Sequence, residues 1–151
     1  MRNRAYDGRV KLELPASSIN EGFARVFAAA FAARLDPTIE EMADIKTAVS
    51  EAVTNAIVHA YPKGGGTIYI TARVIGGDTL EFVIRDKGCG IMDVKQAMEP
   101  MFTTGGEERS GMGFTIMQSF MDKVTVTSQI GKGTRVRLLK RIAPRAAGGK
   151  K

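Results

Sequence analysis

Tryptophan is absent from this sequence, and cysteine and histidine occur once each. Cys89 alone can form no intrachain disulfide, so packing must hold the fold, and a reducing compartment suits it. One cysteine and one histidine, His59, also give no zinc-ligand spacing. Long apolar stretches are missing: residues 26–33 form the longest, are flanked by Arg25 and Arg34, and fall far short of the roughly 20 residues of a membrane span. No apolar segment follows the basic residues near Met1, so a secretory signal is not expected. Two nucleotide-binding signatures are lacking too. A phosphate loop built on Lys132 would need glycine at Val126 and Ser or Thr at Gly133. A Rossmann fingerprint beginning at Gly111 and Gly113 would need its third glycine at Ile116. These absences predict a soluble, cytoplasmic chain that uses neither common nucleotide fold.

What is present is ordinary globular composition, 44% hydrophobic and 25% charged in 151 residues, enough for one domain with its own core. The net charge is +6, but the last eleven residues carry +4 and the first eight +1, leaving +1 for residues 9–140. The expected organisation is an N-terminal arm at 1–8, a domain at 9–140 and a flexible basic tail at 141–151. With so little excess in the body, no direct nucleic-acid partner is expected.

Residues 9–14 alternate polar and apolar and predict a strand. Ser17 or Ser18 would cap a helix running to Arg34, with Phe23, Val26, Phe27, Ala30 and Phe31 on its apolar face. A second helix is expected over 38–60, from Ile39, Met42, Ile45, Val49, Val53 and Ile57 at three- and four-residue steps. Strands at 67–75 and 80–85 should pair through the glycines at 76 and 77. An irregular stretch, 86–109, follows, with a short helix near 93–98; then come a helix at 111–121 and a hairpin of strands 123–128 and 134–139. This order predicts an α+β, two-layer sandwich with a mostly antiparallel mixed sheet and helices on one face.

Three polar clusters interrupt the pattern. Glu51, Asn55 and His59 recur every four residues, forming one stripe beside the apolar face of the second helix. Such a stripe supplies a base, a metal ligand and a phosphate contact, or else a solvated edge. Asp86-x-Gly88-x-Gly90 follows a strand directly, where glycines admit a flat ligand and the carboxylate accepts its hydrogen bond, or where the chain simply turns. Residues 108–114 stand at a helix start, with Arg109, Ser110, Gly111, Met112, Gly113 and Phe114. They suit an anion through free backbone N–H groups and the helix dipole, unless Ser110 merely caps the helix.

In this order the clusters resemble the N box (Glu51-x-x-x-Asn55), G1 box (Asp86-x-Gly88-x-Gly90) and G2 box (Gly111-x-Gly113) of the Bergerat, or histidine-kinase-like, ATPases. The resemblance extends over residues 9–140. Within that superfamily it is strongest to the sporulation anti-sigma F factor family, through residues 23–26, 36–38, 49–59, 102–104 and 108–117; the stress-response anti-sigma kinases are near relatives. The resemblance implies the Bergerat fold, binding of ATP and Mg²⁺, and a serine protein kinase that inhibits a sporulation sigma factor and phosphorylates an anti-anti-sigma partner. It implies that Asp86, supported by Thr134, binds adenine and that Asn55 ligates Mg²⁺. It casts Glu51 as general base on the serine hydroxyl. Thr103, Thr104 and Arg109 would belong to a lid, Gly111 and Gly113 would cradle phosphates, and His59 would lie near the nucleotide. Glu21 and Arg25 match a partner surface, although four apart on a helix they also suit an ordinary ion pair. The family implies a homodimer, with the first strand and first helix as interface. The lid carries Gly105 and Gly106 where relatives often have charged residues or proline.

Histidine kinases share this fold but need a phosphoaccepting histidine on a separate helix pair, whereas the sole histidine here lies inside the N box. A stress-response-type kinase and a nucleotide-gated sigma-binding module without turnover are the alternatives.

Overall fold

A computed structural model describes residues 8–99 and 108–144, with residues 108–112 described by their backbone alone. Five strands, β1 (Val10–Pro15), β2 (Thr67–Ile75), β3 (Thr79–Asp86), β4 (Lys123–Gln129) and β5 (Gly133–Arg141), form one sheet in the order β1-β2-β3-β5-β4. All four pairings are antiparallel, which meets the expected architecture. Gly76 and Gly77, two of the three residues that join β2 to β3, both have positive φ, which glycine adopts without strain. Helices α1 (Ile19–Ala32) and α2 (Ile39–Asn55), a four-residue α3 (Val94–Ala97) and α4 (Glu108–Phe120) complete the fold. None of the described helices is long and apolar enough to cross a membrane.

The core lies between the sheet and the helices. Leu80, Phe82 and Ile84 alternate along β3 and are buried under Ile45, Val49 and Val53 of α2 and Met117 of α4. Thr38 starts α2 with a complete capping box: Glu41 N donates to its Oγ1 at 3.0 Å and its own N donates to Glu41 Oε1 at 2.8 Å. Ile39, placed by periodicity on the apolar face, is 92% exposed, because the first helical residue lies beyond the edge of the core.

α1 is rotated relative to expectation. Its buried residues are Ala24, Ala28, Phe31 and Ala32, whereas Phe23 and Val26 are 51% and 63% exposed. Alanines at a helix contact let two backbones approach closely, so the small residues take the seat against α2 and the larger ones turn outward. Ile19, Phe23 and Val26 consequently form an exposed stripe. Ser18 occupies the N-cap position with no side-chain bond, and Asn20 Nδ2 instead donates to Pro15 O at 2.9 Å.

The helix expected over 38–60 changes character near its end. After Asn55 the chain winds as a π-helix over Ala56–Ala60. The loop after β3 grips this wide turn: Cys89 N donates to Ala60 O at 3.0 Å and Cys89 Sγ to His59 O at 3.2 Å. π-turns of this kind gather at functional sites.

Candidate functional site

α2 ends, and β3 and β5 open, around a cavity of about 170 Å³ whose lining is largely apolar: Ala52, Ala56, Ile84, Val136 and Phe114 among others. Into it the fold brings Asn55, His59, Asp86, Gly90 and Phe114, which the three clusters had singled out, and Thr134, which only the family resemblance had. Asp86 is its electrostatic centre. The side chain is 7% exposed, and its Oδ1 accepts from Gly88 N at 2.9 Å and Thr134 N at 3.2 Å. Among the described residues Oδ2 receives no hydrogen bond, which leaves it for a ligand in the cavity. Burial raises the Asp86 pKa above its ordinary value, against the opposing pull of those two backbone N–H groups.

Gly133 makes this arrangement possible. Its φ is +124°, and a Cβ there would lie 2.1 Å from Asp86 O, so only glycine lets β5 start so close to the end of β3. Ser128 then ties the corner together: its hydroxyl donates to Gly133 O at 3.0 Å, accepts from Ile91 N at 2.7 Å and shares a 2.8 Å bond with Thr134 Oγ1. Tyr61 is a second clamp, its hydroxyl donating to Thr67 O and accepting from Lys87 N, both at 2.7 Å. Sequence patterning missed Ser128 and Tyr61. Nothing in their spacing announces them, because each acts through a single hydroxyl placed by the tertiary fold.

α4 closes one side. It begins at Glu108, so Ser110 lies inside the helix and is not its N-cap. A Cβ on Gly113 would stand 3.0 Å from Asn55 Nδ2 and 3.2 Å from Oδ1, so the glycine lets the helix meet the amide. Glu51 sits one turn before Asn55, half-buried, and is not among the residues lining the cavity. Gly88 packs against Ala60 O at the cavity's rim. Thr103 and Thr104 lie outside the described residues, as do the side chains of Arg109, Ser110 and Met112; Gly111 falls in the first turn of α4.

Away from the cavity, Arg25 and Glu21 pair on α1, and Ser50 of α2 donates to the same Glu21 oxygen. The pair is thus pinned across the α1–α2 seam, with the Arg25 side chain 41% exposed.

A family model for the histidine kinase-like ATPase domain matches residues 14–140. The anti-sigma F factor of Caldanaerobacter subterraneus subsp. tengcongensis is 56% identical over 139 residues, covering 91% of this chain and 96% of the relative. That of Anoxybacillus flavithermus is 51% identical over 144 residues, covering 94% of each. Among solved structures, the RsbU and RsbW domains from Mycobacterium tuberculosis share the fold at a TM-score of 0.67 and 19% identity, over 91% of this chain and 33% of that one. Full-length ShkA in complex with AMPPNP does so at 0.58 and 20%, over 91% and 33%.

Proposed function

We infer the activity from one premise: this chain belongs to the histidine kinase-like ATPase family and, within it, to the anti-sigma F factors. It is an anti-sigma factor with a kinase-type, ATP-using domain. The finer reading is that it holds a sporulation sigma factor inactive and, as a serine kinase, phosphorylates and so inactivates an anti-anti-sigma partner. The observation that carries nucleotide binding at this site is the half-satisfied carboxylate of Asp86 in an apolar cavity that Asn55 also lines. Apolar walls suit a purine ring, and Oδ2 is an acceptor for its amino group.

Asn55 is the residue here that would hold Mg²⁺; the ion commonly takes one or two protein ligands and draws the rest from phosphates and water, and it would offset phosphate charge. Among the described residues no cluster of three or more His, Cys, Asp or Glu offers an alternative metal site. Glu51 takes the proton from the partner's serine, whose Oγ then bonds the γ-phosphorus of ATP as the bond to the bridging oxygen breaks and ADP departs. Thr103, Thr104 and Arg109 belong to the lid, Arg109 forking onto the γ-phosphate, while Gly111 and Gly113 allow close approach of phosphates. His59 stands near the nucleotide. Incubating the chain with γ-labelled ATP and the anti-anti-sigma protein tests the reading: phosphoserine on the partner is expected, and its absence would leave a nucleotide-gated binding module.

Two smaller changes probe the same account. Gly113→Ala improves helix propensity by about 1 kcal/mol but drives a methyl onto Asn55. We expect an unchanged or slightly higher melting temperature with ATP affinity lowered roughly tenfold, read by calorimetry. Affinity equal to wild type would separate Asn55 from the nucleotide.

Arg25→Ala addresses the partner surface. Exposed i,i+4 pairs contribute only about 0.3–0.5 kcal/mol to stability, so the fold should barely respond. Sigma-factor and anti-anti-sigma binding should weaken about tenfold or more in surface plasmon resonance, with ATP affinity intact. Unaltered partner affinity would remove Arg25 from that surface. The exposed Ile19, Phe23 and Val26 stripe beside it supports docking of a second copy along α1 and β1, as a homodimer needs.

A further inference from the structure

Charge that nearly cancels along residues 9–140 separates in space. Leu80, Phe82 and Ile84 face the helices, so Glu81, Val83 and Arg85 point to the other side of the sheet. Strand register arranges that side in rows. One runs Glu13, Tyr69, Arg85, Arg135, Thr127; the next Lys11, Thr71, Val83, Arg137, Thr125; the third Arg73, Glu81, Leu139, Lys123. Six cations thus share the face with two carboxylates, and one of these, Glu81, is buried between Arg73 at 2.6 Å and Arg137.

The first row is the most unusual. Arg85 and Arg135 stand directly opposite one another on paired strands, an arrangement that costs stability. Arg85 lies 4.6 Å from the centre of the Tyr69 ring, and Lys87 Nζ 5.0 Å from it. Arg85, Lys87 and Arg135, with Lys132 from the β4–β5 turn, line an open depression of about 550 Å³ whose one carboxylate is the buried Asp86. Arg85, Lys87, Lys132 and Arg135 are all exposed, and among the described residues no carboxylate pairs with any of them.

We propose that this basic depression, on the sheet face turned away from the helices, binds the phosphate backbone of a nucleic acid without reading its sequence. A bound phosphate between Arg85 and Arg135 turns their mutual repulsion into two attractions. The first two rows offer guanidinium, ammonium, hydroxyl and phenol groups, one exposed carboxylate at the β1 edge (Glu13) and no large exposed apolar side chain, whereas stable protein interfaces are anchored by an apolar, desolvated centre. Phosphates need only cations, and a stacked aromatic beside them suits a base. The depression meets the ATP cavity at Asp86 and Thr134, which line both, but its cations Arg85, Lys87, Lys132 and Arg135 do not line that cavity, so the two readings are tested through different residues.

Fluorescence anisotropy of the full chain with a labelled duplex of random sequence, titrated at several salt concentrations, tests the proposal. We expect a Kd of order 10⁻⁴–10⁻⁶ M and, for three or four phosphates, a slope of log Kd against log salt near 3. The double variant Arg85→Ser, Arg135→Ser should weaken binding about tenfold or more and lower the slope by roughly 2. Its ATP affinity, equal to wild type, would show that it is folded. Neutralising Arg145, Lys150 and Lys151 should leave most of the duplex affinity. The proposal is overturned by no duplex binding at about 50 mM salt, by binding that depends on the tail alone, or by polyglutamate competing better than unlabelled duplex, which would mark a face for an acidic polypeptide.

Discussion

Glu51→Ala should cut phosphate transfer to the partner serine by about 10²–10⁴-fold while ATP still binds, the range over which a general base acts. A serine hydroxyl is a poor nucleophile until its proton is removed, whereas neutral imidazole needs no such help. An acid one helical turn before Asn55 is therefore what the proposed serine-kinase reading requires. Glu51 is half-buried on α2, one turn from Asn55, and does not line the cavity proposed to hold the nucleotide. Single-turnover transfer and calorimetric ATP binding, measured on the same preparation, separate the two effects. Equal losses in both would make Glu51 a binding residue. Glu51→Gln, which keeps shape and removes basicity, should match the alanine variant in rate.

Asp86→Asn should lower ATP affinity by about 10²–10³-fold, roughly 3–4 kcal/mol, with no loss of stability. An asparagine oxygen still accepts from Gly88 N and Thr134 N, so the corner between β3 and β5 survives. Its amide nitrogen, however, presents a donor to the adenine amino donor, replacing a charge-assisted bond by an unsatisfied pair. The stability expectation follows from the raised pKa of Asp86. The folded chain binds this proton more tightly than the unfolded one, so stability falls as pH rises from 3.8 through the higher folded value and stays lower above it. Removing the charge relieves that penalty at neutral pH. Calorimetry and denaturant unfolding at pH 7 check both halves; unchanged ATP affinity would contradict the adenine assignment.

Much of the fold was legible because its strands alternate cleanly and its hairpins carry glycines where positive φ is required. The cavity was legible in part: Asn55, Asp86 and Thr134 come from three elements, and only their family resemblance said they would meet. α1 was misjudged because hydrophobic periodicity favours large residues, while tight packing on α2 favours Ala24, Ala28 and Ala32. The π-turn after Asn55 has no local signal, since the loop at Cys89 holds it from 30 residues away. For the same reason the clamps at Tyr61 and Ser128 escaped notice. The basic face was hidden by the charge sum, because strand register, not sequence proximity, collects Arg85, Arg135 and Arg137.

A crystal structure of the chain grown with Mg²⁺ and a non-hydrolysable ATP analogue tests the central claim most directly. The adenine amino group is expected within hydrogen-bond distance of Asp86 Oδ2, with the metal on the Asn55 side chain. Nucleotide bound elsewhere, with the apolar cavity between α2 and the sheet left empty, would contradict it.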